Sequence, residues 1–341
     1  MKAFVLAAGV GSRLRPLTVE TPKPMVPILG KPALHHTFSN LKKYGFTDIC
    51  VNLFYKPKSI TKYFNKNDAG VNLLYSEEKK LLGTAGAVRK VADFFDDTFV
   101  VMSGDGLSDV NLKKIIAFHK KNKALVTIAL KKIDARFEYG ITVTDESGRV
   151  KSFVEKPYWK DTFADTVNTG IYVCEPEIFN YIPKDKFFDF SMDLFPLLLK
   201  NEKGIYGFEI NEYWTDIGNI FEYKKGIFDA LDKKIKIDIP GVKKGKSFIS
   251  KNAEIDKSVI ISGPCFIDDG VIIGKNSVLK PYSVLGKNVI VKNNALIEKS
   301  IVWGNSIVGA RSKIYNTVAG YKSRIPKDIN LFDSILMGVG V

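Results

Sequence analysis

Histidine, cysteine and tryptophan are scarce in this 341-residue chain, at three residues each. Cys50, Cys174 and Cys265 lie far apart in apolar contexts, have no metal-ligand spacing and cannot all pair. That excludes a disulfide framework and a zinc site, and predicts reduced core thiols in a cytoplasmic protein. No apolar run approaches the eighteen or so residues of a membrane span. The N-terminus reads as strand and loop, with no charged n-region, apolar h-region or cleavage site, so a secretory signal is not expected. Acidic residues are outnumbered, 37 against 51 lysines and arginines, for a net charge of +14. The excess is scattered lysine with no clustered basic face, which argues against nucleic acid and suits small anionic substrates. What remains is ordinary globular composition, 45% hydrophobic and 26% charged, in a chain long enough for two domains.

The most informative stretch comes first. Ala3 to Ala8 is a short apolar run that predicts a buried strand, and it leads directly into Gly9-Val10-Gly11. Such a turn exposes backbone N–H groups to an anion. Arg13, Arg15 and Lys23 follow, the last set between Pro22 and Pro24, and all three suit phosphate oxygens. Leu14 stands where a dinucleotide fingerprint needs its third glycine, and no Gly-Lys-Ser/Thr follows as in a Walker loop. The pattern points to a polyphosphate loop of another kind.

Downstream, strands and helices alternate. Helical spacing over Lys31–Gly45, a strand at Ile49–Phe54, a helix at Ser59–Phe64 capped by Ser59, and strands at Val71–Tyr75 and Phe99–Met102 predict a mainly parallel sheet covered on both faces. Ser108 or Asp109 is expected to cap a helix running to about Asn122, and His119 reads as structural. Tyr139–Pro157 changes to a hairpin pattern, so the sheet becomes mixed. Asn219 is expected to cap a last helix.

The stretch LAAGVGSRLRPLT…PKPMVP resembles the signature of the sugar-phosphate nucleotidyltransferases, the nucleoside-diphosphate-sugar pyrophosphorylases. The resemblance runs through later motifs over nearly the whole chain and is nearest to the mannose-1-phosphate guanylyltransferase branch. It implies a Rossmann-like nucleotidyltransferase domain. Leu6, Ala8, Gly9 and Gly11 would wrap a nucleoside triphosphate, and Arg13 and Lys23 would touch its phosphates. Glu78-Lys-Lys-Leu-Leu-Gly83-Thr84-Ala85-Gly86 resembles the base-recognition segment. Its small residues would let a flat ring approach the backbone, and a carboxylate at Glu78 would accept from N1–H and the N2 amine of guanine. Asp105, ending a buried strand, and Asp216, in Tyr-Trp-Thr-Asp, match the family's metal-binding aspartates, implying Mg²⁺. Gly140, Glu155, Lys156 and Asn168 match contacts to the sugar phosphate, while Trp214 reads as packing.

The expected organisation is a nucleotidyltransferase domain over 1–232, a basic linker over 233–250 broken by Pro240-Gly241, and a repeat domain over 251–341. Ile255, Ile261, Ile267, Ile273, Leu279, Leu285, Val291 and Ile297 recur every six residues, the signal of a left-handed parallel β-helix of hexapeptide repeats with about three to four coils. It contains no histidine base for acyl transfer, so assembly of a homo-oligomer or regulation is its expected role. The expected reaction joins a nucleoside triphosphate, GTP favoured, to a sugar 1-phosphate, mannose 1-phosphate favoured. Glucose 1-phosphate, a manno-heptose phosphate, another base, or an inactive regulatory subunit stay open.

Overall fold

The computed structural model describes all residues except 68, 133–140, 155–165 and 339–341. The chain forms two compact units, Met1–Val10 with Leu34–Asp216, and Gly11–Ala33 with Ile217–Val341. The division differs from a single cut at residue 232. Residues 11–33 fall in one unit with the C-terminal repeats.

The first unit is built on strands β1 (Lys2–Leu6), β2 (Asp48–Leu53), β3 (Asn72–Glu77), β4 (Phe99–Ser103), β5 (Gly106–Ser108), β6 (Val126–Lys132), β7 (Ile141–Thr144), β8 (Val150–Val154), β9 (Thr166–Cys174), β10 (Ile205–Glu209) and β11 (Trp214–Asp216). Nine of them form one mixed sheet in the order β8-β7-β9-β4-β1-β2-β3, with β6 between β9 and β10. The β4-β1-β2-β3 half is parallel, and β7, β8 and β9 add antiparallel pairs, as the hairpin pattern predicted. Continuous apolar runs, such as Ala3-Phe4-Val5 and Ile49-Cys50-Val51, are fully buried because helices cover both faces. Burying each large apolar side chain contributes about 1.5–3 kcal/mol.

Two helix starts differ from expectation. Helix α2, after α1 (Ala33–Lys43), spans Pro57–Phe64 with proline in its first turn, which puts Ser59 inside, its hydroxyl donating to the Lys56 carbonyl at 2.7 Å. Helix α4 (Leu112–Lys121), which follows α3 (Gly83–Arg89), is capped by Asn111. Ser108 Oγ accepts from Val110 N–H instead, and Asp109 Oδ1 accepts from Tyr213 N–H at 2.9 Å. All three cysteines are free and buried. Burial pushes the Cys50 thiol up to about 12 and Cys265 up to about 11, so neither is a nucleophile near neutral pH. Among the described residues no helix is long and apolar enough to cross a membrane.

In the second unit, three parallel sheets of two- and three-residue strands stack into a three-faced β-helix. The side chains of the hexad positions fill its interior. The segment expected as linker already contributes a hairpin, Val242–Lys244 with Ser247–Ile249, and the latter strand pairs with Phe266–Ile267. The repeat continues past Ile297, giving five coils. Phe248 pairs with Phe266 and Phe266 with Val284, eighteen residues on, but Val284 pairs with Ile301 and Ile301 with Val318, seventeen on. One corner of each later coil is a residue shorter, at Lys299, Asn316 and Asp333, each in the left-handed region. That slip ends the strict period of six. Small residues turn the inner corners, and buried serines there stay satisfied: Ser323 N–H donates to Ser306 Oγ, which donates to the Gly320 carbonyl.

Candidate active site

The sheet order reverses beside β1, with β4 on one side and β2 on the other, and ligands of open α/β sheets bind beyond the carboxyl ends at such a point. Leu6 is in register with Ser103. Gly104 N–H donates to the Leu6 carbonyl at 2.8 Å, a closeness that a Cβ at 104, 2.9 Å from that oxygen, would oppose. Asp105 follows, with Ser103 Oγ donating to its Oδ1. The chain then enters β5, which pairs antiparallel with β11 so that Asp216 lies opposite Gly106. Asp105, in the turn just before β5, is thus one residue away from the position that faces Asp216. The Trp214 indole N–H donates to the Thr169 carbonyl at 3.0 Å and ties β11 to β9, a structural role.

At the end of β1 the two loop glycines have different reasons to be glycine. A Cβ on Gly9 would meet nothing within 4 Å, so protein packing does not require its absence. Leu6 is half-buried and Ala8 buried beside it. In the second unit, Gly11 has φ +70, and a Cβ there would stand 2.7 Å from Lys23 Cβ. This lets the Lys23 stem lie against the loop, which Thr18 closes by donating to the Gly11 carbonyl at 2.7 Å. Lys23 is buried behind Pro22, Arg13 is exposed in the turn Ser12–Leu14, and Leu14 is fully buried where a third glycine was missing.

Glu78 is 8% exposed, and each carboxylate oxygen already accepts from the protein: Oε1 from Asn52 Nδ2 at 2.7 Å, Oε2 from Leu82 N–H at 2.8 Å. Asn52 Oδ1 in turn accepts from Ala7 N–H at 2.7 Å. The carboxylate thus ties the end of β1, β2 and the 78–86 segment together, and a base edge has only its remaining lone pairs to use. The smallness of Gly83 and Gly86 likewise serves the protein. Cβ atoms there would lie 2.5 Å from the Phe188 carbonyl oxygen and 2.7 Å from that of Lys186. Residues 186–188 take up that space, with Ala85 and Gly86 N–H donating to the Phe188 carbonyl. Thr84 Oγ1 donates to Asp189 Oδ2 at 2.7 Å and accepts from Phe190 N–H at 2.9 Å.

Asp189 continues this network. Its Oδ1 accepts from Ser191 and Met192 N–H, starting the single π turn Phe190–Leu194. Ser191 Oγ accepts from Asn168 Nδ2 at 3.2 Å, and Tyr172 OH accepts from the same nitrogen at 3.0 Å. Asn168 Oδ1 accepts from Gly170 N–H. Hydrogen bonds thus run unbroken from Thr84 to Asn168. Asn52, Asp189 and Ser191 escaped the sequence reading, although Asn52, polar within the buried run Cys50-Val51-Asn52-Leu53, was the available signal. Gly140, Glu155 and Lys156 lie outside the described residues.

The chain thus pairs a mixed, mainly parallel sheet unit with a β-helix of hexapeptide repeats, the fold expected from its sequence. Residues 2–233 match the nucleotidyl transferase family, and the chain belongs to it; residues 261–341 match the GMPPB C-terminal domain. A UTP–glucose-1-phosphate uridylyltransferase of Synechocystis is 38% identical over 258 residues, 71% of this chain and 66% of that protein. A mannose-1-phosphate guanylyltransferase of Mycobacterium tuberculosis is 35% identical over 232 residues, 67% of this chain and 64% of that one. The chain thus spans slightly less than two thirds of the length of these relatives. Among solved structures, HddC from Yersinia pseudotuberculosis is similar at TM-score 0.59 and 29% identity, over 66% of this chain and 97% of its own.

Proposed function

We propose that this protein transfers a nucleotidyl group from a nucleoside triphosphate to a sugar 1-phosphate, releasing pyrophosphate. The observation that supports the reading is that Asp216 faces Gly106, the residue after Asp105, in the β5–β11 ladder. A sugar-1-phosphate oxygen attacks the α-phosphorus, a new P–O bond forms, and the bond to the β-phosphate oxygen breaks. The nucleophile is already an anion, so the site needs alignment and charge neutralisation rather than a general base. Arg13 stabilises the departing pyrophosphate and Lys23 the α-phosphoryl oxygens; Asn168 holds the sugar, with Gly140, Glu155 and Lys156 assigned to it by motif. Two carboxylates suit a divalent ion that keeps waters and phosphate oxygens as its other ligands, which favours Mg²⁺. When bound, it supplies charge neutralisation on the triphosphate. Among the described residues no group of three or more His, Cys, Asp or Glu competes as a metal site.

GTP with mannose 1-phosphate is the leading pair, supported by several relatives named mannose-1-phosphate guanylyltransferase. The Synechocystis relative favours a second pair, UTP with glucose 1-phosphate. Association of copies through the β-helix, in the cytoplasm, completes the proposal; a monomer on sizing chromatography contradicts that part. The test of the activity is a pyrophosphate-release matrix of GTP, UTP, dTTP, ATP and CTP against mannose, glucose and manno-heptose 1-phosphates with Mg²⁺. Fastest release from one guanine or uracil pair supports the reading, and no release from any pair overturns it.

A further inference from the structure

The residues 11–33 that carry Arg13 and Lys23 belong to the same compact unit as the β-helix. They meet it through a buried polar link. Tyr223, on helix α6 (Ile220–Leu231, following α5, Phe195–Lys200), is fully buried, and its hydroxyl donates to the Pro27 carbonyl at 2.7 Å. The same oxygen accepts the Trp303 indole N–H at 2.9 Å, and Trp303, 2% exposed, directly follows the β-helix strand Ile301–Val302. Pro27 closes the polyphosphate loop, where Pro27–Ile28 pairs with Lys31–Pro32.

Packing around this link is tight. Gly30, at the tip of that small ladder, has φ +85, and a Cβ there would lie 3.1 Å from Phe266 Cζ and Asp268 Oδ2 and 3.2 Å from Pro240. Leu17 Cδ2 is 3.5 Å from where a Cβ on Gly320 would stand. The outward side chains of one β-helix face, Phe266, Val284, Ile301 and Val318, are all buried, while Ile260 and Ile272 on the other two faces are 59% and 41% exposed. One face of the solenoid is thus a packing surface inside its own unit.

We propose that the β-helix buttresses the polyphosphate loop, with Tyr223 as the positioning residue through which the C-terminal repeats set the affinity for the nucleoside triphosphate. The hydroxyl is suited to the task because it must both accept from Trp303 and donate to Pro27, a pairing that no other side chain of this shape supplies. Burial pushes the phenol far above its ordinary pKa, against the opposing hydrogen bond from Trp303, so it remains a donor at every working pH. Loss of the hydroxyl leaves an indole N–H and a carbonyl buried without their partner. The relaxation falls on the chain between Lys23 and Ala33, not on the sugar side of the sheet.

The inference rests on the proposed nucleotidyl transfer, and the experiment separates the two. Wild type, Tyr223→Phe, Trp303→Phe and Ile297→Ala are assayed for pyrophosphate release with GTP and mannose 1-phosphate, or whichever pair wild type turns over fastest. Ile297 is a fully buried β-helix residue and reports plain destabilisation. Tyr223→Phe is expected to raise the KM for the triphosphate by about tenfold, the scale of one lost buried hydrogen bond, with the sugar-phosphate KM within about twofold. Trp303→Phe moves the same constant by less, and keeps the test open if Tyr223→Phe does not fold. Ile297→Ala lowers Tm without changing either KM. Unchanged KM values in an active, less stable Tyr223→Phe, or an equal rise in Ile297→Ala, overturn the buttress. Inactivity of wild type with every pair overturns the transfer reading instead.

Discussion

Asn52 donates to Glu78 across 2.7 Å, joining β2, the strand beside the β3 edge of the sheet, to the segment that resembles a base-recognition loop. The bond makes Glu78 a structural tie. Asn52→Leu removes the donor and leaves Ala7 N–H without its acceptor, both in buried surroundings. A lost hydrogen bond to a charged group costs about 1.5–3 kcal/mol. Urea unfolding is expected to show a destabilisation of that size, with a raised KM for the triphosphate. Unfolding indistinguishable from wild type contradicts the tie.

A second prediction concerns pH. His119 is enclosed, with Nδ1 2.8 Å from Thr127 Oγ1 and Nε2 3.0 Å from Glu175 Oε1, which also accepts from Thr98 Oγ1. Burial holds its pKa below the ordinary 6.5; the hydrogen bond and charge of Glu175 oppose that shift, and Lys120 adds to it. Below pH 6.5 the unfolded imidazole therefore binds more protons than the folded one, and stability falls as pH drops, by at most about 1.4 kcal/mol per pH unit. Thermal unfolding between pH 7.5 and 5 is expected to show that loss in wild type and a shallower one in His119→Gln. Equal slopes contradict the buried neutral histidine.

Asn168 spends both amide hydrogens on Tyr172 OH and Ser191 Oγ. Ser191 is therefore expected to hold the amide at the angle that meets the sugar. Ser191→Ala should raise the KM for the sugar phosphate by roughly five- to tenfold, a typical side-chain hydrogen bond, while leaving that for the triphosphate within twofold. Steady-state kinetics with each substrate varied in turn read the difference. A rise confined to the triphosphate contradicts it.

Much of this architecture is visible in the chain before any coordinates. Continuous apolar runs such as Phe99–Met102 mark buried strands, and eight residues from Ile255 to Ile297 at one spacing mark a solenoid. The solenoid's true length is hidden because Ile297 to Val302, Ile314 to Ala319 and Leu331 to Leu336 are steps of five. Long-range partners are equally hidden. Nothing local in Gly83 or Gly86 tells that their space is filled by residues 186–188, and nothing in Pro27 tells that its carbonyl meets Tyr223. The pairing that sets Asp216 opposite Gly106, next to Asp105, is hidden as well, because it depends on the register of β5 and β11, which only the folded chain sets.

The central claim is that these two carboxylates together hold a divalent ion against an activated nucleotide. Its most direct measurement is pyrophosphate release by Asp105→Asn and Asp216→Asn at saturating substrates across a Mg²⁺ titration, with far-UV circular dichroism confirming the fold. Each variant is expected to keep its fold and lose at least about a hundredfold in kcat, the scale of removing one preorganised electrostatic group. Turnover near that of wild type in either folded variant, at the same Mg²⁺ concentration, would contradict it.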